Sequence, residues 1–281
     1  MWAGLPKGKR ETCHDIERAS LLCLCMILAA VGACVRSAIS SPFPSESPNS
    51  LMDQLFSRYS AHSHSSLIEN LKSSGTIMSK RVADVMEKLD RALFTPQGEM
   101  PYLDSPLPIG YNATISAPHM HATCLELLEN YLQQGMRALD IGSGTGYLTA
   151  AFALMVGEHG RVVGVEHIAE LVNQSLENIK CSEAAPLLES GCLSFHVADG
   201  RSGWPDEAPY ESIHVGAAAS KVPQSLIDQL KPGGRMVIPV GNFFQDLLVI
   251  DKQLDGTLKQ WTTTSVRYVP LTSRESQLAS N

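Results

Sequence analysis

The chain has 281 residues, 44% of them hydrophobic, enough for one large domain with an appendage or for two small domains. A formal charge of -7 and a sequence pI near 5.7 exclude a protein whose main business is gripping a phosphate backbone, so no nucleic acid partner is expected. The seven cysteines contain no CxxC pair and give neither zinc spacing nor a disulfide framework, which suits a reducing compartment.

Residues 1–60 read unlike the rest. Lys7, Lys9 and Arg10 precede an apolar run, Leu21 to Val35, shorter than a comfortable membrane span and close to a signal-peptide core. The Ser- and Pro-rich stretch Ser37 to Ser50 is not expected to pack. Residues 1–60 are thus a targeting-like or disordered extension, and 61–281 the folded domain. Glu11, Asp15 and Glu17 interrupt the basic leader, against the pattern of a signal or transit peptide. Two glycosylation sequons, Asn112-Ala113-Thr114 and Asn173-Gln174-Ser175, occur in the body, the first beside the site argued below. A glycan at Asn112 would cover that site. The cytosol is the expected compartment, with an organelle or membrane association only through a retained N-terminal apolar run.

From about Ser63 the pattern predicts two helices, SLIENLKSSG and SKRVADVMEKLDRALF, the second with Val82, Val85, Met86 and Leu89 at helical spacing. MPYLDSPLPIGYNATIS, rich in Pro and Gly, reads as an ordered loop. It runs into ATISAPHMHA, Ala113 to Ala122, which sets a hydroxyl, a proline and two imidazoles where the helix HMHATCLELLENYL begins. Ser116 is placed to cap that helix, with Pro118 in its first turn. Read alone, this is equally a cap with two surface histidines.

Strand and helix patterns then alternate: RALDIG and YLTAAFALMVG, RVVGVEH and IAELVNQSLENIK, LSFHVAD, YESIHVG, VPQSLIDQL, GRMVIPVG, LLVIDKQ and TTSVRYVPL. β-branched runs between amphipathic helices imply an α/β fold, a mostly parallel sheet with helices on both faces and antiparallel strands at the C-terminal end. Asp140-Ile-Gly142-Ser143-Gly144-Thr-Gly146 follows a buried strand and opens a helix, the context in which a glycine turn admits a ligand to the backbone. Glu166 and Asp199 end the next two strands, the first placed for ribose hydroxyls and the second, beside Gly200, for an adenine amine. Three acids at strand ends favour S-adenosyl-L-methionine, which carries an ammonium and a sulfonium and no pyrophosphate. NAD is the alternative, and ordinary polar strand ends the plainer reading.

His119 and His121, two apart on a helix, do not face each other, so no metal is expected there. Ser116 is not on a GxSxG elbow, which argues against a hydrolase.

YLDSPLPIG, ATISAPHMHA, LDIGSGTGYLTA, ADGR, APYESIHVGAAA, VPQSLIDQLKPGGRMVIPVG and YVPLT together resemble the protein-L-isoaspartate (D-aspartate) O-methyltransferase family, from about His64 to Gln277. The resemblance implies a Rossmann-like class I S-adenosylmethionine-dependent methyltransferase that methylates the α-carboxylate of L-isoaspartyl residues in damaged proteins and peptides, with D-aspartyl residues as a further substrate the family name allows. It implies Ser116 as the catalytic residue, orienting the substrate carboxylate. Cofactor contacts are implied for Ala113, Thr114, Ile115, Ser116, His121, Asp140, Gly142, Ser143, Gly144, Gly146, Glu166, Asp199, Gly200, Thr272 and Gln277. Substrate contacts are expected at Ser116, His119, Val215, Gly216 and Ala217. The chain differs from many members in carrying Glu166 for aspartate and in lacking extra glycines within NFFQDLLVIDK. A monomer is expected. A non-catalytic S-adenosylmethionine-binding module for damaged proteins, or a methyltransferase with another carboxylate acceptor, are the alternative readings.

Overall fold

The computed structural model describes residues 61–279; the expected extension, 1–60, with its apolar run, lies outside the described residues. The first helix, α1 (His64–Ser73), is capped by Ser63, which exchanges side-chain and backbone bonds with Ser66. Ser79 likewise caps α2 (Lys80–Lys88). The sequence periodicity suggests that α2 continues to Phe94, but the helix stops at Lys88. The Asp90 carboxylate accepts the Ala92 N–H and starts a separate 3-10 turn, Arg91–Phe94, a local side-chain bond that competes with helix continuation. The expected apolar face is buried all the same, Val82, Val85, Met86 and Leu89 included.

The stretch expected as a loop is in part a hairpin, β1 (Leu107–Gly110) and β2 (Ala113–Ile115). Tyr111 and Asn112 turn it with φ of 54° and 56°, both left-handed, as a primed hairpin turn demands. Asn tolerates that region and tyrosine does not favour it, which hides the turn from composition.

After α3 (Pro118–Leu128) come β3 (Arg137–Ile141), α4 (Tyr147–Val156), β4 (Arg161–Glu166), α5 (Ala169–Lys180), the short α6 (Ala185–Glu189) and β5 (Leu193–Val197). They are followed by β6 (Tyr210–Val215), α7 (Gln224–Gln229), β7 (Leu230–Gly241), β8 (Gln245–Lys252), β9 (Leu258–Val266) and α8 (Arg274–Ala279). The sheet order is β5-β4-β3-β6-β7-β8-β9, parallel as far as β7 and antiparallel beyond it, as the sequence pattern predicts. The chain moves outward from β3 through β4 to β5, then returns to the other side of β3 as β6. Their carboxyl ends part at that reversal, where open α/β sheets bind ligands.

Strand pleat sorts the core into two layers. Leu139, Ile141, Val163 and Val165 pack with Leu226 and Ile227 of α7, whereas Ala138 and Val162 pack with α3, α4, α5 and the N-terminal helices. α4 is buried almost all round; truncating its Phe152 to alanine would cost about 3–5 kcal/mol. The same pleat turns Asp140 away from Leu139 and toward α4.

Candidate functional site

The loop after β3 is fastened before it reaches any ligand. Gly142 and Ser143 donate backbone N–H bonds to the Val165 carbonyl at 2.8 and 3.2 Å, and Gly216 N–H closes on Ile141 O at 2.7 Å. The Gly142 and Gly216 backbones therefore abut: a Cβ on Gly216 would lie 2.9 Å from Gly142 O. Gly146 caps α4 at φ 86° against Ser175, whose hydroxyl donates to Gly144 O at 2.8 Å. This second sequon serine thus braces the glycine turn from behind.

Beyond that floor lies a cleft of about 520 Å³. Ala113, Thr114, Gly142, Gly144, Glu166, Gly200, Thr272 and Gln277 line it, all anticipated from the sequence. The Glu166 carboxylate is almost wholly buried, accepting Gly144 N–H at 3.2 Å on one oxygen and Ile168 N–H at 3.1 Å on the other. Each oxygen retains acceptor capacity, the chemistry a ribose diol requires. Gln277 of α8 closes the rim: its amide donates to Tyr111 O at 2.8 Å, its Oε1 lies 3.0 Å from His167 Nε2, and its carbonyl accepts Asn112 Nδ2 at 2.8 Å.

An inner pocket of about 360 Å³ adjoins the cleft, lined by Ile115, Ser116, His121, Asp140, Ser143, Tyr147 and His214 among others. His121 is buried and stacks on Tyr147 with centroids 4.7 Å apart. Burial, with the nearby Arg91, His214 and His119 charges, holds its pKa well below the usual range, so the ring is neutral.

A groove of about 890 Å³ lies on the other side, lined by Thr114, Ser116 and His119 together with Pro106, Met120 and the run Ser265 to Tyr268. Thr114 faces all three cavities, and Ser116 both the inner pocket and the groove. His119 and His121 open onto different cavities, as their spacing predicts.

The expected capping role of Ser116 is corrected. Ala117 is the N-cap of α3 and makes no side-chain cap bond; Pro118 does occupy the first turn. The cap comes from Asp104, whose Oδ1 accepts both His119 N–H and His119 Nδ1 at 2.9 Å. Burial would raise the Asp104 pKa, and the His119 bonds outweigh it, leaving the carboxyl below its ordinary value. Ser116 is thereby released from the helix and lines the groove together with Tyr268. Burial, then the neighbouring Cys124, holds that phenol protonated, far above its usual pKa.

Two of the three acids are already engaged. Asp140 lies one residue before the strand end, accepting Thr149 Oγ1 at 2.6 Å and His214 Nδ1 at 2.8 Å. Burial opposes charge on His214, but Cys124 and Asp140 overcome it and raise the imidazole to about 10. Asp199 accepts the Arg201 backbone N–H and pairs with its guanidinium at 2.6 Å, mainly by hydrogen bonding, which lowers the carboxyl pKa. It does not line the cleft, although Gly200 does.

Of the residues expected on the substrate side, Val215, Gly216 and Ala217 lie apart from the groove. Val215 is fully buried at the end of β6, and Gly216 and Ala217 line the cleft, not the groove. Neighbouring amides are committed as well, Ala218 N–H to Val269 O and Ala219 N–H to Pro239 O.

Sequence reasoning gave no role to His167, Arg267, Tyr268 or Val269 to Leu271, all of which line the cavities. The YVPLT block was the available signal, since such a Pro-containing run after the last strand must lie on a surface or a site.

A glycine floor at the switch point, a buried carboxylate for a diol, and an inner pocket whose charged residues, Asp140 and His214, are paired define a class I S-adenosylmethionine-dependent methyltransferase of Rossmann-like fold. The donor set fits S-adenosyl-L-methionine, and the absence of room for a Cβ at Gly216 shows how closely the floor is built. The family model for protein-L-isoaspartate(D-aspartate) O-methyltransferase matches residues 62–276, and the chain belongs to that family. It is 65% identical over 227 residues to protein-L-isoaspartate O-methyltransferase 2 of Arabidopsis thaliana, covering 81% of this chain and 74% of that one. The Triticum aestivum protein-L-isoaspartate O-methyltransferase is 63% identical over 227 residues, with 81% and 99% covered. A Plasmodium falciparum structure of a protein-L-isoaspartate O-methyltransferase in complex with S-adenosyl-L-homocysteine aligns with TM-score 0.70 and 36% identity, covering 75% of this chain and 99% of that one.

Proposed function

We propose that the chain methylates the α-carboxylate of L-isoaspartyl residues in damaged proteins and peptides, and so starts their succinimide-mediated return to aspartyl. The carrying observation is Ser116, which lies in the partition between the inner pocket and the groove. A carboxylate entering from the groove is ionised at neutral pH, so the acceptor needs no general base.

When bound, S-adenosyl-L-methionine supplies a methyl carbon on a sulfonium, which a carboxylate oxygen takes as sulfur keeps the bonding pair. The residues of the chain solve the alignment problem. Ser116 donates to the carboxylate and fixes one oxygen toward the inner pocket, with the protonated Tyr268 phenol lining the groove beside it. Positioning of this kind contributes roughly 7–11 kcal/mol in favourable cases. Neutral His121 and Tyr147 exclude water, and Glu166 holds the diol at the other end. His119, exposed to the groove and pinned by Asp104, serves the acceptor side.

The test is incubation with labelled S-adenosylmethionine and paired aspartyl and isoaspartyl peptides. Base-labile label on the isoaspartyl peptide alone supports the reading. Label on neither favours a non-catalytic module, and label on small carboxylates a different acceptor.

We further propose a cytosolic monomer, with membrane contact only through the apolar run of residues 1–60. Two observations support this. Asn112 Nδ2, the atom a glycan would take, donates to Gln277 O, and Cys124, Cys181 and Cys192 are free thiols. Among the described residues no helix is long and apolar enough to cross a membrane. A glycosidase-sensitive pool, or sedimentation as a dimer, would overturn this.

A further inference from the structure

Phe243 and Phe244 stand 99% and 95% exposed at the tip of the β7–β8 hairpin. Turn tips favour Asn, Gly and Asp, so two adjacent phenyl rings there oppose both turn chemistry and solvation. The tip is firmly rooted. Gly241 pairs with Gln245 and donates its N–H to Ala219 O at 2.9 Å. The Gln245 side chain then clamps the backbone of Tyr268 in the groove wall, accepting its N–H at 2.6 Å and donating to its carbonyl at 3.1 Å. The rings thus begin one residue from a side chain bonded to the segment Ser265 to Tyr268, which lines the groove.

We propose that Phe243 and Phe244 form an apolar subsite for the flank of an unfolded substrate polypeptide, a proposal that rests on the activity proposed above. An isoaspartyl residue in the groove must arrive on an extended, accessible chain, and unfolded chains, unlike folded surfaces, present apolar side chains in sequence. Phe244 and Phe243 directly precede the Gln245 that holds Tyr268, so the rings begin one and two residues, roughly 4–7 Å of chain, from that anchor. An apolar side chain about three to five residues from the isoaspartyl residue can therefore reach the rings. Each ring offers on the order of 150–250 Å² of surface to cover. The subsite makes affinity depend on flanking hydrophobicity and leaves the reacting atoms untouched.

The test compares the native chain with F243S/F244S, an exposed pair whose loss removes no core contact. Substrates are a short isoaspartyl hexapeptide and two longer peptides that carry either leucines or serines at those flanking positions on both sides. The native chain is expected to show a KM roughly tenfold lower for the leucine peptide than for the serine peptide. The variant should show equal KM for the two, with kcat, S-adenosylhomocysteine affinity and hexapeptide KM unchanged. A native ratio near one, a ratio that survives in the variant, or a changed hexapeptide kcat overturns the proposal. So does a native dimer that the variant breaks, which would make a second copy the occupant. Hexapeptide methylation by the native chain reads the underlying activity separately. If it is absent, the subsite stands only if fluorescence anisotropy shows the same roughly tenfold preference, and its loss in the variant.

Discussion

Asp140→Asn should make the stability of this protein respond differently to pH. In the native chain both Asp140 oxygens are used, one by Thr149 at 2.6 Å and one by His214 Nδ1 at 2.8 Å, deep between the sheet and α4. The asparagine amide can serve Thr149 with its oxygen and offer its NH2 to Nδ1 only if the imidazole is neutral. The His214 pKa is raised from 6.5 to about 10 in the folded chain. A raised folded-state value gives stability that is fully present below about pH 6.5 and is lost as pH climbs toward 10, at about 1.4 kcal/mol per pH unit. Asp140 supplies part of that shift beside Cys124, so the stabilisation lost in the variant is at most about 4–5 kcal/mol near pH 6, narrowing to at most about 1–1.5 kcal/mol near pH 9. The larger figure agrees with the 3–5 kcal/mol typical of breaking a buried pair. Urea unfolding of both chains across that range, with the midpoint and slope recorded at each pH, gives the difference directly. A gap that stays constant or widens with rising pH would refute a charged His214 held by Asp140.

Ser116→Ala should lower kcat roughly 10- to 100-fold, the worth of one hydrogen bond to a charged group, while S-adenosylhomocysteine affinity changes little; equal losses in both would place Ser116 in the cofactor site instead. Glu166→Gln keeps its oxygen for only one of the two N–H groups, Gly144 and Ile168, so calorimetry should find cofactor binding weaker by about 1–3 kcal/mol, with unfolding free energy down by a similar amount. For Gly216→Ala the new Cβ meets Gly142 O at 2.9 Å, and the floor must shift. Cofactor affinity should fall at least several-fold with far-UV circular dichroism unchanged, and unaltered affinity would show that the floor does not set the cleft.

What the sequence revealed and what it hid divide along the range of the forces involved. Helices with apolar stripes, β-branched parallel strands and the glycine turn after β3 are written in neighbouring residues, and each is present, although α2 stops at Lys88, short of the expected Phe94. Ser116, two residues before Pro118, also looked like a local cap, yet Asp104, 15 residues before His119, takes that position because its carboxylate can accept both the amide and the ring nitrogen of His119. The Asp140 partner is set by strand register: β3 and β6 pair in parallel with Asp140 opposite His214, 74 residues apart. Nothing in RALDIG or YESIHVG announces that register. By contrast, the Asp199–Arg201 pair is two residues apart and could have been read from ADGR as a self-contained ion pair. The β1–β2 hairpin was hidden because its left-handed turn uses tyrosine and asparagine where glycine would have marked it.

These pairings bear on the chemistry more than the acids would have done singly. Transfer from a sulfonium to a carboxylate consumes one positive and one negative charge, so charges near the reacting ends stabilise the reactants more than the transition state, and slow the step. In the inner pocket Asp140 is neutralised by His214, and His121 is held uncharged by burial. Glu166 lines the outer cleft and does not line the inner pocket. Asp199 is matched by Arg201 outside it. The partition residue follows the same logic: the neutral Ser116 hydroxyl can orient a carboxylate without quenching its nucleophilicity. A guanidinium at that position would bind the acceptor more tightly and hold it back from the methyl group, because its attraction weakens as the oxygen loses its charge.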